Sequence, residues 1–475
     1  MADKTPDSLR HTVVLTSREN FVWHSMQEII PALEQLWVEA ARPERHRVSV
    51  LNADEASFSK ILQACLSADQ IVFTCFTVKL ARIGQLLREK CSLDCRYILY
   101  LHQLATIGCW PLHEWGLAQV LRSSDLFLSS CRKDADTLKL SFASPDVRVL
   151  PFTIFDFPET RTRARASFEP ATPVSLIYAG RISAQKNLHT LLQALSLLAL
   201  RRPELEFKLD IYGSEDNLGS PNMGLESRGY ALFLTELNHR LGLEHQVRFG
   251  GMLPREALHE RLWSKPCIFI SPSLHSDENF GMAAFRSLCL GNLAVLSDWG
   301  GHADFDQCFP GQVFYAPVRE SSAGPFIHPE ELSALISEAS KKARTGSFQL
   351  PANYTPSAIS EALLKIALEP KAKSAPLQAT DTSRALLANR KHYLNDSPKM
   401  SKIFASYEDP LAKLFFRAYG MIPKPATTAP SPLALVPWAQ RENGEITIVD
   451  PHRGNFSFSN IDKAAEYGFA HHSSC

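Results

Sequence analysis

No apolar run in the chain approaches the about 18 residues needed to cross a bilayer, and the opening MADKTPDSLRHT lacks the apolar stretch of a secretory signal. These absences predict a cytoplasmic chain whose membrane contact is at most peripheral. Neither sign of charge is in excess: 50 Lys and Arg stand against 50 Asp and Glu, which argues against a nucleic-acid partner. Ten cysteines are scattered, the closest pair being Cys91 and Cys95. No second pair or histidine cluster completes a zinc site, so free thiols in a reducing compartment are expected. Glycine is missing from the whole stretch before Gly84, which excludes a glycine-rich loop after the first strand. No Asp-x-Asp stands at a strand end in the first half, because Asp134-Ala135-Asp136 falls in a helical pattern. No metal or other cofactor is therefore expected.

What is present is a long alternation of strand and helix patterns. Residues 12–16, 47–51, 70–74, 96–101, 125–129 and 147–150 read as strands. Helical spacing lies between them at 25–41, interrupted by Pro31, and at 58–66, 77–90 and 132–140. After an aperiodic, linker-like segment at 152–173, strands recur at 174–179, 207–212, 246–249, 267–271, 293–296 and 312–315. Helical patterns follow at 329–344 and 356–368. Such alternation predicts α/β architecture with mostly parallel, doubly wound sheets. The division is residues 1–160, 161–370 and a C-terminal extension at 371–475. In the extension, 371–380 is linker-like, 383–419 mostly helical, 423–437 proline-rich, and 445–449 with 455–458 a hairpin.

The chain is organised around residues 266–306. An apolar strand leads into the acidic turn Asp277-Glu278-Asn279, then Phe280-Gly281, then a helix from Met282 that Gly291 stops. A second strand ends at Gly300-Gly301. In doubly wound sheets ligands bind at the carboxyl ends of strands, where helix N-termini present amides to anions. A negatively charged ligand group near Phe280-Gly281, with Glu278 beside it for neutral hydroxyls, follows physically. Earlier, a strand ends in Tyr178-Ala179-Gly180-Arg181, and Lys186 opens the helix over 188–199. Two long cations and a helix N-terminus thereby surround one point at the sheet edge.

These two segments resemble family 4 retaining glycosyltransferases, which have the GT-B fold of two Rossmann-like domains facing a cleft. The resemblance is specific over residues 174–306 and architectural over 10–150. It implies transfer of a sugar from a nucleotide diphosphate sugar to a glycan, lipid-linked or protein acceptor, by front-face displacement without a metal. It gives Arg181 and Lys186 to the leaving diphosphate and Glu278 to the sugar hydroxyls. Gly180, Asn279, Phe280, Gly281 and Met282 line the donor, and His102, after the strand at 96–101, faces the anomeric carbon. His24 lies near the first loop, Ser17-Arg18-Glu19-Asn20, which stands where the family has glycines. Asp298 to His302 matches the family's strand-end Gly-Gly region and receives no catalytic role.

Two positions depart from the pattern. Asn187 replaces the glycine usual after the lysine, and Arg286 replaces the second acidic residue that holds the ribose hydroxyls. A guanidinium only donates hydrogen bonds, so Arg286 can pair with Glu278, another acid or a phosphate instead. Arg286 and the missing glycine loop motivate a second reading, a GT-B-fold binding or scaffold protein without turnover. A third, with less support, is a GT-B sugar-nucleotide epimerase.

Overall fold

The computed structural model describes residues 9–22, 24–102, 112, 115–153, 173–215, 230–275, 278–321, 324–342, 348, 350–370, 372, 374–381, 383–384, 438–442, 445–450 and 454–458. The chain divides into two compact units, Met1–Arg161 with Leu350–Lys391, and Thr162–Gln349 with His392–Cys475.

In the first unit, strands β1 (Arg10–Thr16), β2 (His46–Asn52), β3 (Gln70–Phe73), β4 (Arg96–Tyr100), β5 (Leu126–Ser129) and β6 (Asp146–Val149) form one parallel sheet. Its order is β2-β1-β3-β4-β5-β6, with Val14 paired to Val50 on one side and Val72 on the other. Val13, Val14, Leu15, Ile71 and Val72 are wholly buried, as expected of strands covered on both faces. The connecting helices are α1 (His24–Glu39), α2 (Phe58–Cys65), α3 (Val78–Glu89) and α4 (Arg132–Ser141). Ser57 and Thr77 cap α2 and α3 through their hydroxyls. Asp134 and Asp136 lie on α4, where the pattern places them.

Pro31 does not interrupt α1. The helix runs through it, because a proline removes one hydrogen bond while Ile29, Ile30, Leu33, Leu36 and Trp37 keep the helix buried on the sheet. The glycine-free loop after β1 is braced by side chains instead. Thr16 Oγ1 donates to Glu34 at 2.7 Å, Ser17 Oγ donates to Asp54 at 3.1 Å, and the Arg18 amide donates to Asp54 at 2.6 Å.

In the second unit, β7 (Val174–Ala179), β8 (Phe207–Tyr212), β9 (Val247–Gly251), β10 (Ile268–Ser271), β11 (Leu293–Ser297) and β12 (Val313–Ala316) form another parallel sheet. Its order is β12-β11-β10-β7-β8-β9. The helices are α5 (Leu188–Arg201), α6 (Tyr230–Arg240), α7 (Arg255–Ser264), α8 (Met282–Cys289) and α9 (Pro329–Ser340). From β7 the chain winds one way to β8 and β9, then restarts at β10 on the opposite side. The loops after β7 and β10 therefore part at a switch point, where such sheets open a crevice. The expected α/β architecture of two doubly wound halves is what the chain adopts.

Helix α10 (Pro356–Leu368) belongs to the first unit, although the sequence pattern groups it with the second. It packs on α1 and on β1 and β2, burying Ile359 and Leu363. Beyond it, Glu369 pairs with Arg96 at 3.0 Å and also with Arg148. Part of the segment expected to be a linker is a strap on the same unit. The Leu377 amide donates to Leu121 O at 2.9 Å, the Ser123 amide to Ala375 O at 2.8 Å, and the Ala143 amide to Gln378 O at 2.8 Å. It shows no period, yet its backbone finds partners on the first unit's loops. Most of the helical pattern at 383–419 and all of 423–437 lie outside the described residues. At 438–458, β15 (Trp438–Glu442), β16 (Glu445–Asp450) and β17 (Gly454–Phe458) make a three-stranded antiparallel sheet, in addition to the short hairpin of β13 (Arg319–Ser321) and β14 (Gly324–Phe326). Among the described residues, no helix is long and apolar enough to cross a membrane.

Candidate active site

The switch point of the second unit brings the two motifs together. Strand β7 ends at Ala179, and the Gly180 amide donates to Tyr212 O at 3.0 Å, keeping this turn on the neighbouring strand. Tyr178 Oη donates to Arg181 O at 2.6 Å and fixes the next residue. Lys186 closes a short 3-10 turn, and Asn187, at φ 58°, enters the left-handed region before α5 begins. That conformation explains why a glycine would suit this position and why asparagine, the non-glycine residue that tolerates it best, replaces it.

Lys186 Nζ donates to Glu278 Oε2 at 2.5 Å, so a cation from the β7 loop meets the carboxylate from the β10 loop. Both side chains are largely buried, at 14% and 10% exposed. Burial raises the Glu278 pKa, but Lys186 at its side and the Ser273 hydroxyl hold the carboxyl well below the usual range. The group is a carboxylate near neutral pH. Its Oε1 faces His302 Nε2 at 3.8 Å.

Arg181 does not converge on the same oxygen. Its guanidinium donates to His275 Nε2 at 2.7 Å, so that ring presents a lone pair and is neutral. Burial, with Arg181 and Lys186 nearby, keeps the His275 pKa well below its ordinary value. The Trp299 indole donates to His275 O at 2.9 Å, anchoring the loop that carries the ring. Thus each motif cation is held by a residue of the β10 loop, one by Glu278 and one by His275.

The Phe280-Gly281 step is set by packing. Phe280 is buried against Phe285 and Phe305, with ring centroids 5.0 and 5.7 Å away, so its side chain serves the core. Gly281 stands at φ 83°, where a Cβ would lie 2.6 Å from His302 Cδ2. Gly300, at φ 56°, lets the strand-end turn press on the Glu278 backbone, and the Gly301 amide donates to Glu278 O at 2.6 Å. Asn279 lies in this turn and Met282 opens α8. The N-terminus of α8 has no side-chain cap, which leaves first-turn amides for an anion at the crevice, whereas the His189 amide in the first turn of α5 donates to Tyr230 Oη at 3.2 Å.

Arg286 lies buried on α8 and acts electrostatically on Glu256 of α7 and on Cys289. The partners found for Glu278 are Lys186, Ser273 and His302. His102 belongs to the first unit. Its ring is buried between Tyr100 and Phe152, Nε2–H donates to Thr74 O at 2.8 Å, and burial pushes its pKa down to about 4. It is a neutral histidine fixed between the ends of β3 and β4, with Nδ1 carrying the lone pair. His24 is exposed at the start of α1.

The sequence singles out Arg181, Lys186 and Glu278 but gives no role to His275, His302, Ser273 or Ser297. These four are ordinary residues near a strand end, and no local spacing separates them from core polar residues. The one usable signal was that the stretch 271–302 places two histidines and five serines next to an acidic turn.

Residues 160–306 match the family model described as Glycosyl transferases group 1. Mannosylfructose-phosphate synthase of Agrobacterium fabrum is 27% identical over 199 residues, 41% of this chain and 41% of that protein. D-inositol 3-phosphate glycosyltransferase of Corynebacterium urealyticum is 27% identical over 168 residues, 35% of this chain and 37% of that protein. The aligned part thus spans about two fifths of these curated relatives. A glycosyltransferase structure from Rickettsia africae shares 12% identity at a TM-score of 0.47, covering 75% of this chain and 98% of its own.

Proposed function

We propose that the chain is a metal-independent retaining glycosyltransferase of the GT-B type, taking a sugar from a nucleotide diphosphate sugar to a hydroxyl acceptor of a glycan, a lipid-linked saccharide or a protein. The observation that carries this reading is the Lys186–Glu278 pair at the switch point between β7 and β10. It joins the two segments that resemble donor-binding motifs, and both fall inside the stretch that matches group 1 glycosyltransferases.

The chemistry follows from the charges. A leaving diphosphate gains negative charge as the anomeric C–O bond breaks. Arg181, Lys186 and the uncapped N-terminus of α8 are fixed positive groups suited to that charge, so no metal is required of them. Glu278, ionised throughout, accepts hydrogen bonds from sugar hydroxyls and holds the ring in register. In front-face displacement the acceptor oxygen bonds to the anomeric carbon on the side the diphosphate leaves, and its proton passes to the departing phosphate oxygen. His102, to which the resemblance gives a place at the anomeric carbon, is a neutral ring of the first unit. Arg286 takes the ribose-side position as a donor, toward ring oxygens or phosphate. A cytoplasmic location, with membrane contact at most peripheral, fits this reading.

A thermal-shift panel of UDP-, GDP- and ADP-sugars without metal tests it. A ligand at 100 times its dissociation constant adds about 2.7 kcal/mol. The expected result is a shift with one nucleotide class that Lys186→Ala abolishes, together with metal-free release of the nucleoside diphosphate. Binding without release would instead support a binding protein without turnover.

A further inference from the structure

We infer that His302 and Glu278 form a paired acceptor for two neighbouring hydroxyls of the donor sugar, making His302 a specificity-determining residue of the site. The inference rests on the sugar-nucleotide reading above and adds to it the kind of sugar the site takes.

The hydrogen-bond directions around His302 can be assigned from the heavy atoms. Ser297 Oγ donates its only hydrogen to Ser273 O at 2.6 Å. Its 3.3 Å contact with His302 Nδ1 must then run the other way, with Nδ1–H donating to Oγ. A neutral ring with its proton on Nδ1 turns a lone pair out at Nε2. Burial pushes the His302 pKa down to about 4, so the ring stays neutral near pH 7.

That lone pair faces Glu278 Oε1 at 3.8 Å, beyond hydrogen-bond distance. Two acceptors confront each other with no hydrogen between them. Among the described residues, no group donates to His302 Nε2, although the residue is 1% exposed. The ring and the backbone that carries it are confined on several sides. Gly281 lies against Cδ2 so closely that even a methyl would collide, Phe305 packs 6.2 Å from its centroid, and Tyr315 Oη donates to His302 O at 2.7 Å. A ligand completes the arrangement by bringing two hydrogens, one for each acceptor. Lys186 already neutralises the other carboxylate oxygen, and Arg181 stands near, so an ammonium would add a third cation. Adjacent hydroxyls of a neutral sugar supply two donors without charge. Deoxy sugars and sugars acylated at that pair would be rejected, because one buried acceptor would stay unpaired.

Isothermal titration of the full chain decides the matter. The probes are UDP-glucose, GDP-mannose and ADP-glucose, their bare nucleoside diphosphates, and the analogues with fluorine replacing one sugar hydroxyl at a time, since fluorine does not donate. For the sugar nucleotide that binds, fluorine at either of two adjacent carbons should weaken wild-type binding about tenfold. His302→Phe should weaken the intact sugar nucleotide about tenfold, leave the bare diphosphate within about twofold, and abolish the effect of fluorine at one of those carbons. His302→Gln, which can place a carbonyl where Nε2 stood, should recover part of the loss. The inference is overturned if every fluorinated analogue binds the wild type within about twofold of its parent, or if His302→Gln and His302→Phe weaken diphosphate and sugar nucleotide equally. Failure of all three sugar nucleotides to bind the wild type overturns the sugar-nucleotide reading, and this inference with it.

Discussion

Glu278 stays ionised in a largely buried site because Lys186 compensates it, and that mutual dependence can be measured. Removing one member of a buried pair strands the other, whereas replacing both with neutral groups does not. Lys186→Met alone should destabilise the second unit by about 3 kcal/mol, and Glu278→Gln added to it should restore part of the loss. A denaturant double-mutant cycle checks this; additive losses would refute the coupling. The buried histidines set the acid side. His102, His189 and His302 are each pushed down to about 4, with burial the leading cause. Between about pH 6.5 and 4 the unfolded chain protonates these rings while the native one does not. Their contribution is therefore complete above about pH 6.5 and declines below it, by up to about 1.4 kcal/mol per pH unit for each ring. Thermal unfolding at pH 7.5 and pH 5 should show a drop in both units, since each holds histidines whose pKa burial lowers. At this scale the sequence revealed charged motif residues, whose types are rare enough at strand ends to stand out. It did not reveal His275 or His302, because their roles come from which tautomer a distant serine or arginine selects.

Elements were more legible than side-chain partners. Parallel strands buried on both faces are continuous apolar runs, and every main-sheet strand falls within a residue or two of its pattern. Pro31 misled because propensity is a local quantity and the buried face of α1 is not. The Asn187 substitution was legible as a departure, while its reason needed the backbone angle. Asn187→Gly should cost about 1 kcal/mol by removing the acceptor of the buried Thr190 hydroxyl, whereas Asn187→Val should cost about 2 kcal/mol more by forcing a β-branched residue to positive φ. Equilibrium denaturation distinguishes them. Gly281→Ala meets both a positive φ and the His302 ring. It should lower donor affinity more than a surface alanine would, even in a folded protein, and titration with the sugar nucleotide that binds reads this out.

For the molecule, two sheets were foreseeable from the alternation, but membership of the later segments was not. A helix pattern says what a segment is and not which sheet its apolar stripe covers. The stripe of Ile359, Leu363, Leu364 and Ile366 belongs to the first unit. Ending the chain at residue 349 should therefore cost that unit roughly 5 kcal/mol of burial and speed amide exchange in β1, β2 and α1. Peptides from β7, β10 and β11 should exchange as before. Equal acceleration in both sheets would contradict the assignment.

The same placement of α10 reverses the order of completion on the ribosome. The first unit is begun at the N-terminus, but its last helix and strap follow the entire sheet of the second unit in the chain. The later sheet can close while the earlier one still lacks a wall. A nascent chain of this protein thus carries a half-finished domain through the synthesis of a whole one, with the apolar faces of α1, β1 and β2 uncovered for that interval.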